Sequence, residues 1–189
     1  MKKFLPFVSL LIVLPAMFSL CSLSAQELNR FGGGLTFNSP MNSPDLEIGN
    51  PGFTGRGVLE LNEDFFIIPE LTFQVPKKKT FSDGEKKTTM VNVDVNVTYT
   101  LATEGTLLFY AMIAPGLSNI YTKWDTDVPG YESGMEFVPG LSVGTGIEMI
   151  VEKDINAYAQ VKYIVSKYQQ LVISIGVLYY FEGRRFRKW

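Results

Sequence analysis

Apolar side chains recur at every second position along most of this chain. Val91, Val93, Val95, Val97, Tyr99 and Leu101 fall on one side of an extended backbone, and Asn92, Asp94, Asn96, Thr98 and Thr100 fall on the other. Ile155, Ala157, Ala159, Val161, Tyr163 and Val165 repeat the pattern, as do Ile173, Ile175, Val177, Tyr179 and Phe181. Read this way, the chain predicts eight strands at about 29–38, 52–62, 65–76, 88–101, 106–121, 135–151, 155–166 and 170–182, and no helix. In the fifth and sixth both faces are apolar or small. Pro69, Pro115 and Pro139 fall inside strands, where each removes a ladder donor and predicts a bulge or weak spot.

The connections alternate in length. Residues 62–64, 102–105 and 152–154 form tight turns, residues 39–51, 77–87 and 122–134 are longer and polar, and 167–169 is intermediate. Neighbouring antiparallel strands place successive connections at opposite ends. The tight turns therefore share one end of the sheet and the long polar connections the other.

An eight-stranded antiparallel sheet with one apolar face closes in one of two ways. In a soluble, exported, lipocalin-like barrel the apolar face points inward at an apolar ligand. In a membrane barrel it points outward at lipid. Three features favour lipid. The non-apolar faces carry Gly, Ser, Thr and Asn with sparse charge, which suits a narrow lumen filled by side chains. The dense charges (Lys77 to Lys79, Glu85 to Lys87, Asp125 and Asp127) fall in connections. Aromatics collect near both strand ends: Phe31, Phe65, Tyr99, Phe109, Tyr179 and Phe181 at one, and Phe53, Phe73, Tyr121, Trp124 and Phe137 at the other. On this assignment Arg56, Glu60, Glu70, Asp94, Glu148 and Lys162 point into the lumen. Charges there need partners, so they read as a structural plug of ion pairs in preference to a narrow ion path.

The first 25 residues stand apart. Lys2 and Lys3 precede an apolar run from Phe4 to Leu20, and Ser22 to Ala25 supplies small residues before Gln26. That is the layout of a secretory signal peptide cut after Ala25. A retained anchor and a lipoprotein acylated at Cys21 are the rivals. Cys21 is the only cysteine, so a chain starting at Gln26 has no disulfide.

The 189 residues include no histidine, which removes Ser-His and Cys-His nucleophiles and histidine-built metal sites. No cofactor motif is present. Gly32-Gly33-Gly34 lacks the strand-to-helix setting of a phosphate loop and predicts close packing or a lumen-facing gap. The formal charge of −2 gives no basic footprint for nucleic acid.

The leader, the eight alternating strands, the rhythm of turns and loops and the closing aromatic strand together resemble the small outer-membrane β-barrels of the OmpA-domain and OmpX type. The resemblance is one of pattern over residues 26–182. It implies an all-β, transmembrane, up-and-down antiparallel barrel in the bacterial outer membrane. It also implies tight turns at the periplasm, long loops outside, and a closing strand read by the barrel-assembly machinery through its terminal aromatic. Counting back by twos from Phe181 gives an unbroken apolar row, whereas counting back from Trp189 meets Arg187 and Arg185. Residues 183–189 then form a short basic periplasmic tail near anionic headgroups or a protein partner. The expected partners are outer-membrane lipid, the assembly machinery and an envelope protein; the basic 77–87 segment either meets lipid phosphates by Coulomb attraction or, like the tail, serves as solubilising charge. The expected role is structural or interactive: envelope integrity, surface-loop or periplasmic contacts, or a part in a secretion or envelope assembly. Catalysis is not expected, and an enzyme acting on lipid is the least favoured reading.

Overall fold

The computed structural model describes residues 28–41, 50–81, 84–125 and 133–180. The expected leader with Cys21, the terminal aromatic Phe181 and the basic tail lie outside the described residues. Eight strands follow one another: β1 Leu28–Pro40, β2 Asn50–Glu60, β3 Phe65–Phe81, β4 Gly84–Glu104, β5 Leu107–Asp125, β6 Gly134–Glu152, β7 Ile155–Ser166 and β8 Gln170–Tyr180. Each pairs antiparallel with the next, and β8 pairs with β1, so the sheet closes into an up-and-down barrel without a free lateral edge in its body.

Period-two patterning becomes two surfaces. Leu35, Phe53, Leu71, Val93, Ile113, Leu141 and Ile175 are exposed on the outside. Thr36, Thr54, Thr72, Asn92, Asn96, Ser142 and Ser174 are buried on the inside. The large apolar rows thus point away from the barrel axis, the reverse of the lipocalin-like alternative. On β4 the outer row from Val91 to Leu101 runs about 33 Å along the strand at roughly 3.3 Å per residue. With a strand tilt near ~40° it covers about 25 Å, the height of the apolar band of outer-membrane barrels.

The strands run further than expected at the long-connection end. The polar segment 77–87 is not a loop. β3 and β4 remain paired through Lys78–Lys87, Thr80–Glu85 and Phe81–Gly84, and β5 follows with Lys87–Lys123 and Glu85–Asp125. The polar composition there reports water on both faces of a continuing sheet, not the end of the strand. Strands β3 to β6 have 17 to 21 residues, against 11 to 13 for the other four.

Prolines behave differently from the expectation as well. Register shifts fall near strand ends between Leu28 and Arg30, Thr100 and Ala102, and Ile150 and Glu152, and inside β3 between Gln74 and Lys77, a stretch that holds Pro76; none falls at Pro69, Pro115 or Pro139. Pro69 stays in register with Val95 of β4, while the β2–β3 ladder lapses between Arg56–Glu70 and Leu59–Ile67. Pro115 stays in register with Leu141 of β6, and the β4–β5 ladder lapses between Asp94–Gly116 and Val97–Ile113. Pro139 lies just beyond the last β6–β7 pair, Gly140–Ser166. At these three prolines the missing donor is tolerated where a neighbouring ladder lapses or ends, with no extra residue inserted, whereas Pro76 does sit in a bulge.

The closing seam is tight. Gly34 of β1 lies opposite Gly176 of β8, and a Cβ added at Gly34 would stand 2.0 Å from the Ile175 carbonyl oxygen. The glycine run is therefore a close-packed seam. At the opposite extreme, the β4–β5 turn uses Gly105 at φ 62°, a left-handed conformation that favours glycine.

Candidate functional site

Among the described residues, the lumen is where charged side chains are gathered out of water. Its residues come from the inward rows of all eight strands and stack in layers between the turn end and the long-strand end.

The layer nearest the tight turns centres on Arg30 of β1. Its guanidinium is ion-paired with Glu148 of β6 and lies 3.4 Å from Glu60 of β2. Phe66 and Tyr180 flank it, with ring centroids 5.4 Å and 5.3 Å from the guanidinium carbon. The Asn156 amide also donates to Glu148. Glu60 is the peripheral member, with its side chain 32% exposed.

Above it sits a middle layer formed by four strands. Arg56 of β2 is ion-paired with Glu70 of β3. Lys162 of β7 places its Nζ 2.7 Å from Glu70 Oε1 and 2.7 Å from Asp94 Oδ2 of β4. Gln160 donates a further bond to Glu70 at 3.1 Å. The Arg56 guanidinium stacks 3.7 Å from the Tyr158 ring centroid. All four charged groups are buried, so their attraction acts in a medium far less polarisable than water. The ring of Tyr110 occupies the space left by Gly146, where an added Cβ would meet the phenol oxygen at 2.4 Å. An apolar cluster of Val58, Phe66, Ile68, Leu108, Tyr110, Met112, Tyr158 and Leu178 fills the rest of this half of the lumen.

Beyond the charges the lumen is polar and uncharged. Ser174 donates to Thr36 at 3.1 Å and Thr72 to Thr54 at 3.3 Å, while on the turn side of Asp94 the Asn96 amide donates to the Ile68 carbonyl at 2.9 Å. The mouth at the long-strand end is closed by Met90, Ile120 and Val138, with Tyr168 from the β7–β8 connection packed on them. Tyr168 Oη donates to Glu136 at 2.9 Å, and Lys167 reaches the same carboxylate at 2.6 Å.

All six lumen charges expected from sequence face inward, divided between the two layers. Arg56, Glu70, Asp94 and Lys162 meet in the middle one, and Glu60 and Glu148 in the other. Arg30 was missed, although it shares its row with Gly32, Gly34, Thr36 and Asn38. It supplies a third cation, which halves the excess of acids over bases in the six. The apolar cluster was missed too, because an inward Val58 or Leu108 carries no mark that separates it from a lipid-facing one. Among the described residues no group of three His, Cys, Asp or Glu side chains is placed to hold a metal ion.

The outer face carries paired aromatics at both rims of the apolar band. Phe31 meets Tyr179 edge-on at 6.0 Å and Phe65 meets Tyr99 at 4.9 Å at the turn end, while Phe53 is in register with Phe73 at the other end. Two aromatic rims flanking an outward apolar band fit a membrane with two interfaces. The family model for the outer membrane protein beta-barrel domain matches residues 10–181. The chain belongs to that family.

Solved outer-membrane barrels share the fold. Neisserial surface protein A superposes with a TM-score of 0.63 at 15% identity, covering 84% of this chain and 100% of that one. The attachment invasion locus protein Ail of Yersinia pestis gives 0.59 at 13% identity, over 82% of this chain and 100% of that one. The N-terminal β-barrel domain of Pseudomonas aeruginosa OprF gives 0.52 at 13% identity, over 82% and 100%. At such identities the likeness speaks to fold alone. No curated protein matches this outer membrane protein beta-barrel chain by sequence.

Proposed function

We propose that this outer-membrane barrel is a plugged scaffold that serves the envelope by structure and contact, and neither conducts ions nor catalyses a reaction. The observation that carries this reading is the middle lumen layer. Lys162 of β7 joins Glu70 of β3 and Asp94 of β4, and Arg56 of β2 joins the same Glu70. A bar of ion pairs across a lumen of eight strands, with an apolar cluster around it and a Tyr168 cap over the mouth, leaves side chains where a water column would have to run. The contact surface in this reading is the projecting end of β3 to β6, turned to the outside, with the tight turns in the periplasm.

The remaining parts of the proposal concern export and assembly. Residues 1–25 serve as a cleaved signal peptide, the assembly machinery reads the row Ile173, Ile175, Val177, Tyr179 and Phe181, and residues 183–189 form a periplasmic tail. Planar-bilayer recording of the purified barrel tests the plug. The expected result is no current above the bare-membrane baseline. Reproducible unitary steps from the wild-type protein, lost on heat unfolding, would replace the plug by a path.

A further inference from the structure

Past the bulge between Gln74 and Lys77, the ladder aligns three lysines. Lys78 of β3 is in register with Lys87 of β4, and Lys87 is in register with Lys123 of β5. All three are exposed. By the alternation of β4 and β5 they continue the outer rows that run up from Val93, Val91 and Thr89 and from Leu117, Asn119 and Tyr121. The rung one outer position nearer the apolar band pairs Thr89 with the exposed Tyr121. The lysine rung thus lies about 7 Å beyond that aromatic along the strand, two residues at ~3.3 Å each. One outer position further on, the register sets Thr80, Glu85 and Asp125 in a row.

Like charges directly opposite each other weaken a sheet. Lys78 is relieved by Glu85, 2.8 Å away. Among the described residues Lys87 and Lys123 have no ion-pair partner. The order along the outer wall is apolar band, aromatic, lysines, then the carboxylate of Glu85. A wall facing only water gains nothing from that order. A wall passing through a layer of anionic headgroups does, because the cations then sit at the height of the anions, with the carboxylate beyond them. The ammonium of lysine is a compact point charge that suits phosphate.

We infer that Lys78, Lys87 and Lys123 form a binding rung for the phosphate groups of outer-leaflet lipid, which fixes the barrel's height and rotation in the membrane. The inference rests on the barrel-in-lipid reading but not on the closed lumen.

The test uses the full chain isolated from outer membranes, incorporated into phosphatidylcholine vesicles containing either bis-phosphorylated lipid A or its dephosphorylated form. Because both leaflets carry the lipid, the result does not depend on orientation. The lipid A retained per barrel is measured after gentle extraction in zwitterionic detergent. Wild type should retain phosphorylated lipid A, and Lys87→Gln/Lys123→Gln should retain about fivefold less. Lys87→Arg/Lys123→Arg and Lys153→Gln, the latter at a tight turn, should match wild type. Folding of each variant is scored by its heat-modifiable gel band, and Lys123→Gln alone serves if the double variant folds poorly. Equal retention by the glutamine variant, or equal retention of the dephosphorylated lipid by wild type, would overturn the inference while leaving the barrel in lipid. So would a lysine-dependent affinity confined to a soluble sulfated polysaccharide.

Discussion

Lys162 on β7 holds Asp94 on β4 across the barrel axis, Nζ to Oδ2, at 2.7 Å. The same nitrogen lies 2.7 Å from Glu70, so one ammonium ties β7 to β3 and β4, with neither of which it shares a ladder. Glu70 also pairs with Arg56 and accepts from Gln160, which makes it the hub.

That asymmetry gives a ranked prediction. Glu70→Ala leaves Arg56 and Lys162 buried with one carboxylate between them, and should cost about 3–5 kcal/mol. Asp94→Asn leaves Lys162 its bond to Glu70 and keeps a polar group in place, so the loss should be smaller, about 1–3 kcal/mol. Urea unfolding followed by the heat-modifiable gel band measures both. A larger loss for Asp94→Asn than for Glu70→Ala would remove Glu70 from the centre of the layer.

The two faces differ in what they tolerate. Val93→Arg puts a guanidinium on the lipid side near the middle of the band, at about 2–4 kcal/mol. Three residues on, in the lumen row, Asn96 is fully buried and bonded to the Ile68 carbonyl, so there is no room for a long side chain. Asn96→Ala should cost only about 1 kcal/mol, the worth of a typical hydrogen bond. Refolding yield into vesicles, read across the pair, checks the assignment; equal damage would count against the alternation of faces.

Glycines separate by what surrounds them. Gly34→Ala drives a Cβ toward the Ile175 carbonyl in the closing seam, whereas nothing lies within 4 Å of a Cβ at Gly55 on the outer face. Gly34→Ala should lower stability by about 1–3 kcal/mol, and Gly55→Ala should leave it unchanged or slightly higher. Thermal midpoints of the two variants decide this. A neutral Gly34→Ala would mean that the seam can open without loss.

Much of this architecture was legible in the chain because the signal has period two. Val91 to Leu101 and Ile173 to Tyr179 announce their faces with no help from tertiary structure, and so do the lumen positions Arg56, Glu70, Asp94 and Lys162. What escaped was whatever depends on context. Lys78 and Lys87 are polar, and polar residues in a strand beyond the bilayer look the same as polar residues in a loop. Pro69 and Pro115 were expected to bulge, but a strand has two neighbours, and sequence does not say which ladder will lapse. Arg30 stood near the end of its row, with glycines beyond it that hid the alternation. The apolar half of the lumen was invisible for a related reason: Val58 and Tyr110 are inward members of a sheet that needs apolar residues on both sides.

The closing strand bears on assembly. β8 carries the outer row Ile173, Ile175, Val177 and Tyr179, all exposed. Deleting residues 182–189 should leave a heat-modifiable barrel in the outer membrane, while Phe181→Ala in the full chain should reduce its amount more than Trp189→Ala does. Quantifying the folded band in outer-membrane fractions tests the order. Loss of assembly on tail deletion with a harmless Phe181→Ala would move the signal into the tail.

Whether the apolar rows meet lipid is the central claim, and accessibility of spin labels on β4 tests it most directly. Nitroxides are attached to single cysteines at positions 91, 93, 97 and 99, with Cys21 replaced by Ser, in protein reconstituted into lipid vesicles. Each label should relax strongly with oxygen, which concentrates in the hydrocarbon core, and weakly with a water-soluble nickel chelate. The oxygen effect should peak at positions 93 and 97 and fall toward 99. Strong relaxation by the nickel chelate at 93 and 97 would place that face in water and contradict the membrane-spanning barrel.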